Sequence, residues 1–147
     1  MVTLSDARID ELIAEDVPYI DLTSHILGVG TQAGAMEYFT REACVLAGGE
    51  VASRIASTKL GCVVTNILRD GTALEAGQSF MTIGGTAAQL HQAWKVCLNV
   101  FDHLSAVATK TRMMVDAAHA TSPSCEILTT RKSMPGVKDL LVEATIA

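Results

Sequence analysis

The stretch from Thr86 to His119 contains neither proline nor glycine, and it constrains the fold more than any other part of the chain. Within it Leu90, Trp94, Cys97, Phe101, Leu104, Ala108, Thr111, Val115 and Ala118 recur at alternating spacings of four and three. Ala93, Val100, Val107 and Met114 widen that stripe beyond a coiled-coil seam, so the pattern predicts one long amphipathic helix. At 1.5 Å per residue it would run about 50 Å, so it either joins two units or bends near Ser105 to Thr109. Trp94 lies on the stripe and is expected in the core or a dimer contact. The opposite face carries His91, Lys95, Asn99, His103, Lys110 and Arg112. His91 with Lys95, and Asn99 with His103, are one turn apart and could share a ligand; the simpler reading is a solvated polar face.

Upstream, Ser5 is placed to cap a short helix, with Ile9, Leu12 and Ile13 on one side and Leu4 positioned to staple against Ile9. That helix ends at Asp16-Val17-Pro18, because the residue before a proline is pushed out of helical geometry. Asp21 reads as a cap for Leu22-Thr23 rather than as half of a carboxylate pair with Asp16. Strands are expected at Ala35–Glu42, Cys44–Ala47, Cys62–Leu68, Thr72–Gln78 and Ser79–Ile83, with a helix at Glu50–Thr58 and a turn at Asp70-Gly71. Together these make a small antiparallel α+β unit.

Beyond Ser122-Pro123-Ser124, Glu126–Thr130 reads as a buried strand that stops at Arg131-Lys132-Ser133-Met134-Pro135-Gly136. A helical stripe of Val137, Leu140, Leu141 and Ala144 follows. Strand, basic turn and helix form the opening of a βαβ unit, whose parallel strand needs a neighbour that does not appear in these residues. Arg131 and Lys132 would then sit at the strand's end, with Ser133 near the helix N-cap and Lys138 one turn on. One reading is an anion pocket, since helix N-termini and the C-terminal ends of parallel strands gather such sites. The other is a solvated turn.

Composition narrows the function. With 16 acidic against 11 basic residues among 147, the net charge is −5, unlike the basic surface that nucleic-acid binding requires. Apolar residues make up 49% and charged ones 18%, where about 25% charged is usual; the apolar surplus predicts an interface. No run reaches the roughly 18 apolar residues of a membrane span. The first 16 residues lack the basic and apolar segments of a secretion signal. Cys44, Cys62, Cys97 and Cys125 are scattered, which fits reduced thiols in a cytoplasmic protein. Those cysteines and His25, His91, His103 and His119 show no metal-ligand spacing, so no metal site is expected.

Read in order, several segments resemble the quinolinate phosphoribosyltransferase (nicotinate-nucleotide pyrophosphorylase, carboxylating) family. They are Glu15-Asp16 through Asp21-Leu22-Thr23, Val45-Leu46-Ala47-Gly48, Asp70-Gly71 through Gly77, Leu98-Asn99, Ser105 through Thr109, and Thr130-Arg131-Lys132-Ser133-Met134-Pro135-Gly136. The Leu90–Lys95 stretch is most similar to the ModD branch, associated with molybdenum transport. The resemblance implies an α+β then α/β architecture. Residues 1–110 would form a hammerhead-like α/β domain with the long helix, and residues 111–147 the first strand-helix unit of an incomplete (β/α) barrel.

It further implies a pentosyltransferase acting on a quinolinate-like dicarboxylate and phosphoribosyl pyrophosphate, with Mg2+ carried on the diphosphate, in a homodimer or higher homo-oligomer. Arg131 would hold a carboxylate, Lys132 would serve as the catalytic and substrate-binding cation, and Ser133 would join them. Lys95 would reach into a neighbouring subunit's site. Trp94-Lys95 stands where the family has Glu-Arg, which replaces a bidentate fork by a point charge. These residues contain about one strand of a barrel that needs roughly 250 residues, so the segment alone is expected to be inactive. An unpaired edge on its last strand would make it dimerise or aggregate.

Two alternatives remain. One is a ModD-type accessory protein that binds without transferring a pentosyl group, serving molybdate transport. The other is a biotinyl or lipoyl carrier, because Asp70–Gln78 resembles a turn of those domains; Lys59 is its nearest candidate for modification.

Overall fold

The computed structural model describes residues 4–130 and 132–147. Helix α1 (Asp6–Asp16) starts at Ser5, whose hydroxyl accepts from the Arg8 N–H at 3.2 Å, and both Leu4 and Ile9 are buried, as the staple requires. Helix α2 (Leu22–Leu27) is a single short helix that the sequence signalled only through its cap; Asp21 accepts from the Ser24 N–H at 3.4 Å.

The main sheet is antiparallel, with β5 (Ser79–Thr86) between β1 (Ala33–Phe39) and β3 (Val63–Ile67). Its central strand buries Phe80, Met81 and Ile83, whereas β1 buries only Tyr38 and β3 buries none of its residues fully. A second ribbon pairs β2 (Cys44–Val45) with β4 (Ala73–Leu74). Strand β1 begins and ends earlier than Ala35–Glu42, β2 stops before Leu46, and β4 is two residues instead of the seven expected at Thr72–Gln78. Leu46 still exchanges backbone hydrogen bonds with Thr72 and Gly71, at 2.9 and 2.8 Å, and Ala47 beyond it is fully buried.

The helix expected at Glu50–Thr58 is two segments: α3 (Gly49–Ser53) runs into a π-helical stretch, Arg54–Lys59. The wider turn keeps Ile55 and Ala56 fully buried while Arg54 reaches back to α1. Its guanidinium donates to the Leu4 carbonyl and to Asp6 Oδ1, both at 2.7 Å. Asp70 accepts from the N–H groups of Gly48 and Gly49 at 3.2 and 2.9 Å, tying the Asp70-Gly71 turn to the start of α3. Gly48 has φ +95°, which an L side chain rarely adopts.

Helix α4 (Ala87–Thr121) is one continuous helix through Ser105 to Thr109. A capping box closes its start, where Thr86 and Gln89 exchange hydrogen bonds. Its buried stripe of Leu90, Ala93, Cys97, Phe101, Leu104 and Ala108 covers the core, where Phe101 meets Phe80 edge-on at 4.8 Å and Tyr38 at 5.7 Å. Of the two places expected for Trp94, core or dimer contact, it does not take the core: it is 47% exposed. Helix α5 (Lys138–Ile146) packs beside α4 and adds Leu140 and Ala144 to the same core.

Residues 126–130 form no strand. A parallel strand is stable only when a neighbour takes up its backbone groups, and the described residues offer none. The edge-driven association expected of that strand loses its basis with it. Among the described residues, no helix is long and apolar enough to cross a membrane.

Candidate functional site

The loop between α4 and α5 carries the cation motif. Pro135 and Gly136, the latter at φ +85°, turn the chain before α5, so the helix is preceded by Val137 and Ser133 is not its N-cap. The Lys132 N–H instead donates to Thr130 Oγ1 at 3.2 Å, folding the loop locally. Arg131 lies outside the described residues. An open cavity of about 410 Å³ forms between this loop, α4 and α5. Lys132, Ser133, Lys138, Thr129, Thr130 and Thr145 supply its polar lining, over Val107 and Leu141.

The chemistry of that lining suits an anion. Two lysines face the cavity and neither forms an ion pair among the described residues. Ammonium groups and hydroxyls donate to carboxylate or phosphate oxygens, and no carboxylate lines the cavity to compete. The threonines at 129, 130 and 145 carried no spacing signal in the sequence; only the loop's path and α5 bring them together.

Lys95 does not line this cavity. It stands 12 residues before Val107 on α4, or about 18 Å along the axis. Its ammonium lies 5.1 Å over the ring of Trp94. Two other polar residues of this face of α4, His91 and Asn99, bind their own chain. His91 Nδ1 is 2.9 Å from Ser24 Oγ and 3.3 Å from Asp21 Oδ2. Burial pushes the Asp21 carboxyl up, but hydrogen bonds from the Ser24 hydroxyl and N–H and the nearby imidazole outweigh it and hold it below the usual range. Asn99 donates to Asp16 Oδ2 at 2.9 Å. His91 and Asn99 therefore fasten the 16–24 segment to α4.

One further expectation is settled by geometry. Lys59 sits in the π-helical stretch with its ammonium 2.9 Å from Asp10 Oδ1 and its side chain only 20% exposed, so it is not the tip of a carrier hairpin. Among the described residues, no group of three or more His, Cys, Asp or Glu side chains could hold a metal ion.

Comparison with known proteins places this architecture. The profile of the family described as "Quinolinate phosphoribosyl transferase, N-terminal domain" matches residues 21–105. The ModD protein of Escherichia coli O157:H7 is 35% identical over 147 residues, all of this chain and 51% of its own length. The nicotinate-nucleotide pyrophosphorylase (carboxylating) of Mycobacterium leprae is 30% identical over 93% of this chain and 51% of its own length. The fold is that of the crystal structure of NadC from Streptococcus pyogenes, at TM-score 0.87 and 24% identity, covering 99% of this chain and 53% of that one. The chain thus spans about half the length of the relatives it matches. With the matched domain, the small antiparallel sheet and the long helix all in agreement, the chain belongs to the quinolinate phosphoribosyltransferase family.

Proposed function

We propose that the protein is a pentosyltransferase in which a pyridine nitrogen displaces pyrophosphate from phosphoribosyl pyrophosphate, giving nicotinate mononucleotide, pyrophosphate and carbon dioxide. The observation that carries this reading is the cavity beside Lys132, whose polar groups are all donors to an anion, in a chain of this family. Charge builds on the departing diphosphate, and cations fixed in advance stabilise it without reorganising. Arg131 would hold a substrate carboxylate. Lys132, with Ser133 beside it, would meet carboxylate or phosphate oxygens and serve as the catalytic cation. Lys95 would contribute its charge from a neighbouring copy in a homodimer.

In this reading Mg2+ enters with the substrate, where it would offset charge on the leaving diphosphate. Loss of the carboxylate next to the ring nitrogen as carbon dioxide leaves an electron pair on that ring carbon, which the pyridinium charge stabilises until a proton from water takes the vacated position. The proposed setting is cytoplasmic. Under this reading residues 1–110 form the hammerhead-like domain and 111–147 open the barrel.

A second reading is an accessory protein of the ModD type, without quinolinate activity, that serves molybdate handling. Two observations favour it: the ModD relative aligns over the whole chain, and Trp94-Lys95 stands where the resemblance expects Glu-Arg. Both readings are tested on the full-length protein. The transferase reading expects nicotinate mononucleotide from quinolinate and phosphoribosyl pyrophosphate, and its loss in Arg131→Ala. Calorimetric binding of molybdate, with no product from those substrates, would select the accessory reading.

A further inference from the structure

Arg8 joins α1 to the turn that precedes α5, from the other end of the chain. Its guanidinium engages all three nitrogens: Nη1 meets Glu11 Oε2 at 3.0 Å, Nη2 donates to the Gly136 carbonyl at 2.5 Å, and Nε lies 3.3 Å from Asp139 Oδ2. Among the described residues it is the only side chain from another element that bonds to residues 132–139. The turn has little else to hold it. Gly136 has open space where a side chain would project, and α5 starts at Val137 without a side-chain cap. The other side-chain hydrogen bonds of the segment are local, from the Lys132 N–H to Thr130 and from the Leu140 N–H to Asp139 Oδ1. Leu140 and Ala144 fix the body of α5 in the core, but not the turn ahead of it.

We infer that Arg8 is a positioning residue that sets where Lys132 and Ser133 stand in the anion cavity. The inference rests on the proposed role of Lys132 as the catalytic cation and names what holds that cation in place. Lys132, Ser133 and Lys138 line the cavity on either side of Gly136, whereas Arg8 does not line it. Glu11 and Asp139 offset the charge of Arg8, so its influence travels through geometry. A guanidinium donates along fixed directions, so bonds to one carbonyl and one carboxylate set both the distance and the orientation of the turn. Helix α1 is itself anchored, with Ile9 fully buried and Asp6 and Asp10 paired to Arg54 and Lys59. The Lys132 ammonium rides on a mobile four-carbon stem, so its mean position follows the backbone beneath it. A cation stabilises departing charge best when it is in place beforehand.

The test compares steady-state kinetics of the full-length protein with quinolinate and magnesium phosphoribosyl pyrophosphate. Arg8→Met keeps a long, helix-favouring side chain but removes every donor. It should lower kcat about ten- to a hundredfold, the scale of a misplacement near 1 Å, with each KM within about twofold of wild type. Arg8→Lys should recover part of the loss. Asp139→Asn, which leaves α1 untouched, should lower kcat in the same direction by a smaller factor. On a Lys132→Ala background, Arg8→Met should cost less than about twofold more, because the cation it positions is already gone. A merely structural role would not give that dependence. Wild-type kcat in Arg8→Met, or losses that multiply in the double variant, overturns the inference and leaves the transferase reading standing. A fall in folded fraction that accounts for the whole loss in both Arg8→Met and Asp139→Asn overturns it as well. No product from the wild type overturns the transferase reading and the inference with it.

Discussion

The hydroxyl of Ser105, in the middle of α4, accepts from the buried Ala47 N–H at 3.1 Å and lies 3.4 Å from the same residue's carbonyl. One turn on, Thr109 Oγ1 accepts from the Val45 N–H at 2.9 Å and donates to the Ser105 carbonyl at 2.6 Å. The helix therefore serves as the missing neighbour of β2, offering hydroxyls to backbone groups that a longer ribbon would otherwise satisfy. A buried backbone donor without a partner is costly, so these two side chains explain how so short a strand persists.

Replacing Ser105 by alanine leaves the Ala47 N–H buried and unpaired. Denaturant unfolding should show a loss of about 1–3 kcal/mol, the desolvation cost of one such group. An unchanged midpoint would mean that the hydroxyl does not support the strand.

Gly48 is held in a left-handed conformation against α4, where an added Cβ would meet Val100 Cγ1 at 2.9 Å and Leu104 Cδ1 at 3.1 Å. Gly48→Ala therefore combines backbone strain with overpacking. Each costs roughly 1–3 kcal/mol, and the melting temperature should fall accordingly. Gly77, also at positive φ but with nothing within 4 Å, provides the comparison: Gly77→Ala should cost less, because only the backbone term remains.

Alkaline pH should destabilise the core. Burial pushes the Cys97 thiol from 9.0 up to about 12, and it raises Cys62 and Tyr38 as well. The folded state keeps its proton where the unfolded chain has lost it. The stabilisation from Cys97 is therefore complete below pH 9.0 and is lost as pH rises toward about 12. Unfolding midpoints measured across that window should decline, and Cys97→Ala should flatten the decline. Thiol labelling at pH 8 should modify exposed Cys125 first and leave Cys62 and Cys97 untouched until the protein unfolds.

Much of this fold is legible in the sequence, for reasons that differ between elements. Helix α4 is readable to within two residues because its pattern repeats over nine turns without a breaker. Ser5, Asp21 and Asp70-Gly71 announce caps and a turn through short-range hydrogen bonding that depends on few other residues. The 126–130 segment has the composition of a strand, but a strand's existence depends on neighbours and not on its own residues. The π-helical turn at Arg54–Lys59 and the exposure of Trp94 are set by tertiary contacts with α1 and by what α4 leaves uncovered; no local spacing encodes them. At the candidate site, Lys132, Ser133 and Lys138 were recognisable by their motif. Thr129, Thr130 and Thr145 join them only through the loop's path.

Product formation by the full-length protein, compared between wild type and Lys132→Ala, tests the central claim most directly. With quinolinate and magnesium phosphoribosyl pyrophosphate, the account predicts nicotinate mononucleotide from the wild type. Removing the cation should slow turnover at least about a hundredfold, as expected when a preorganised electrostatic contact is lost. Wild-type turnover in Lys132→Ala would contradict it.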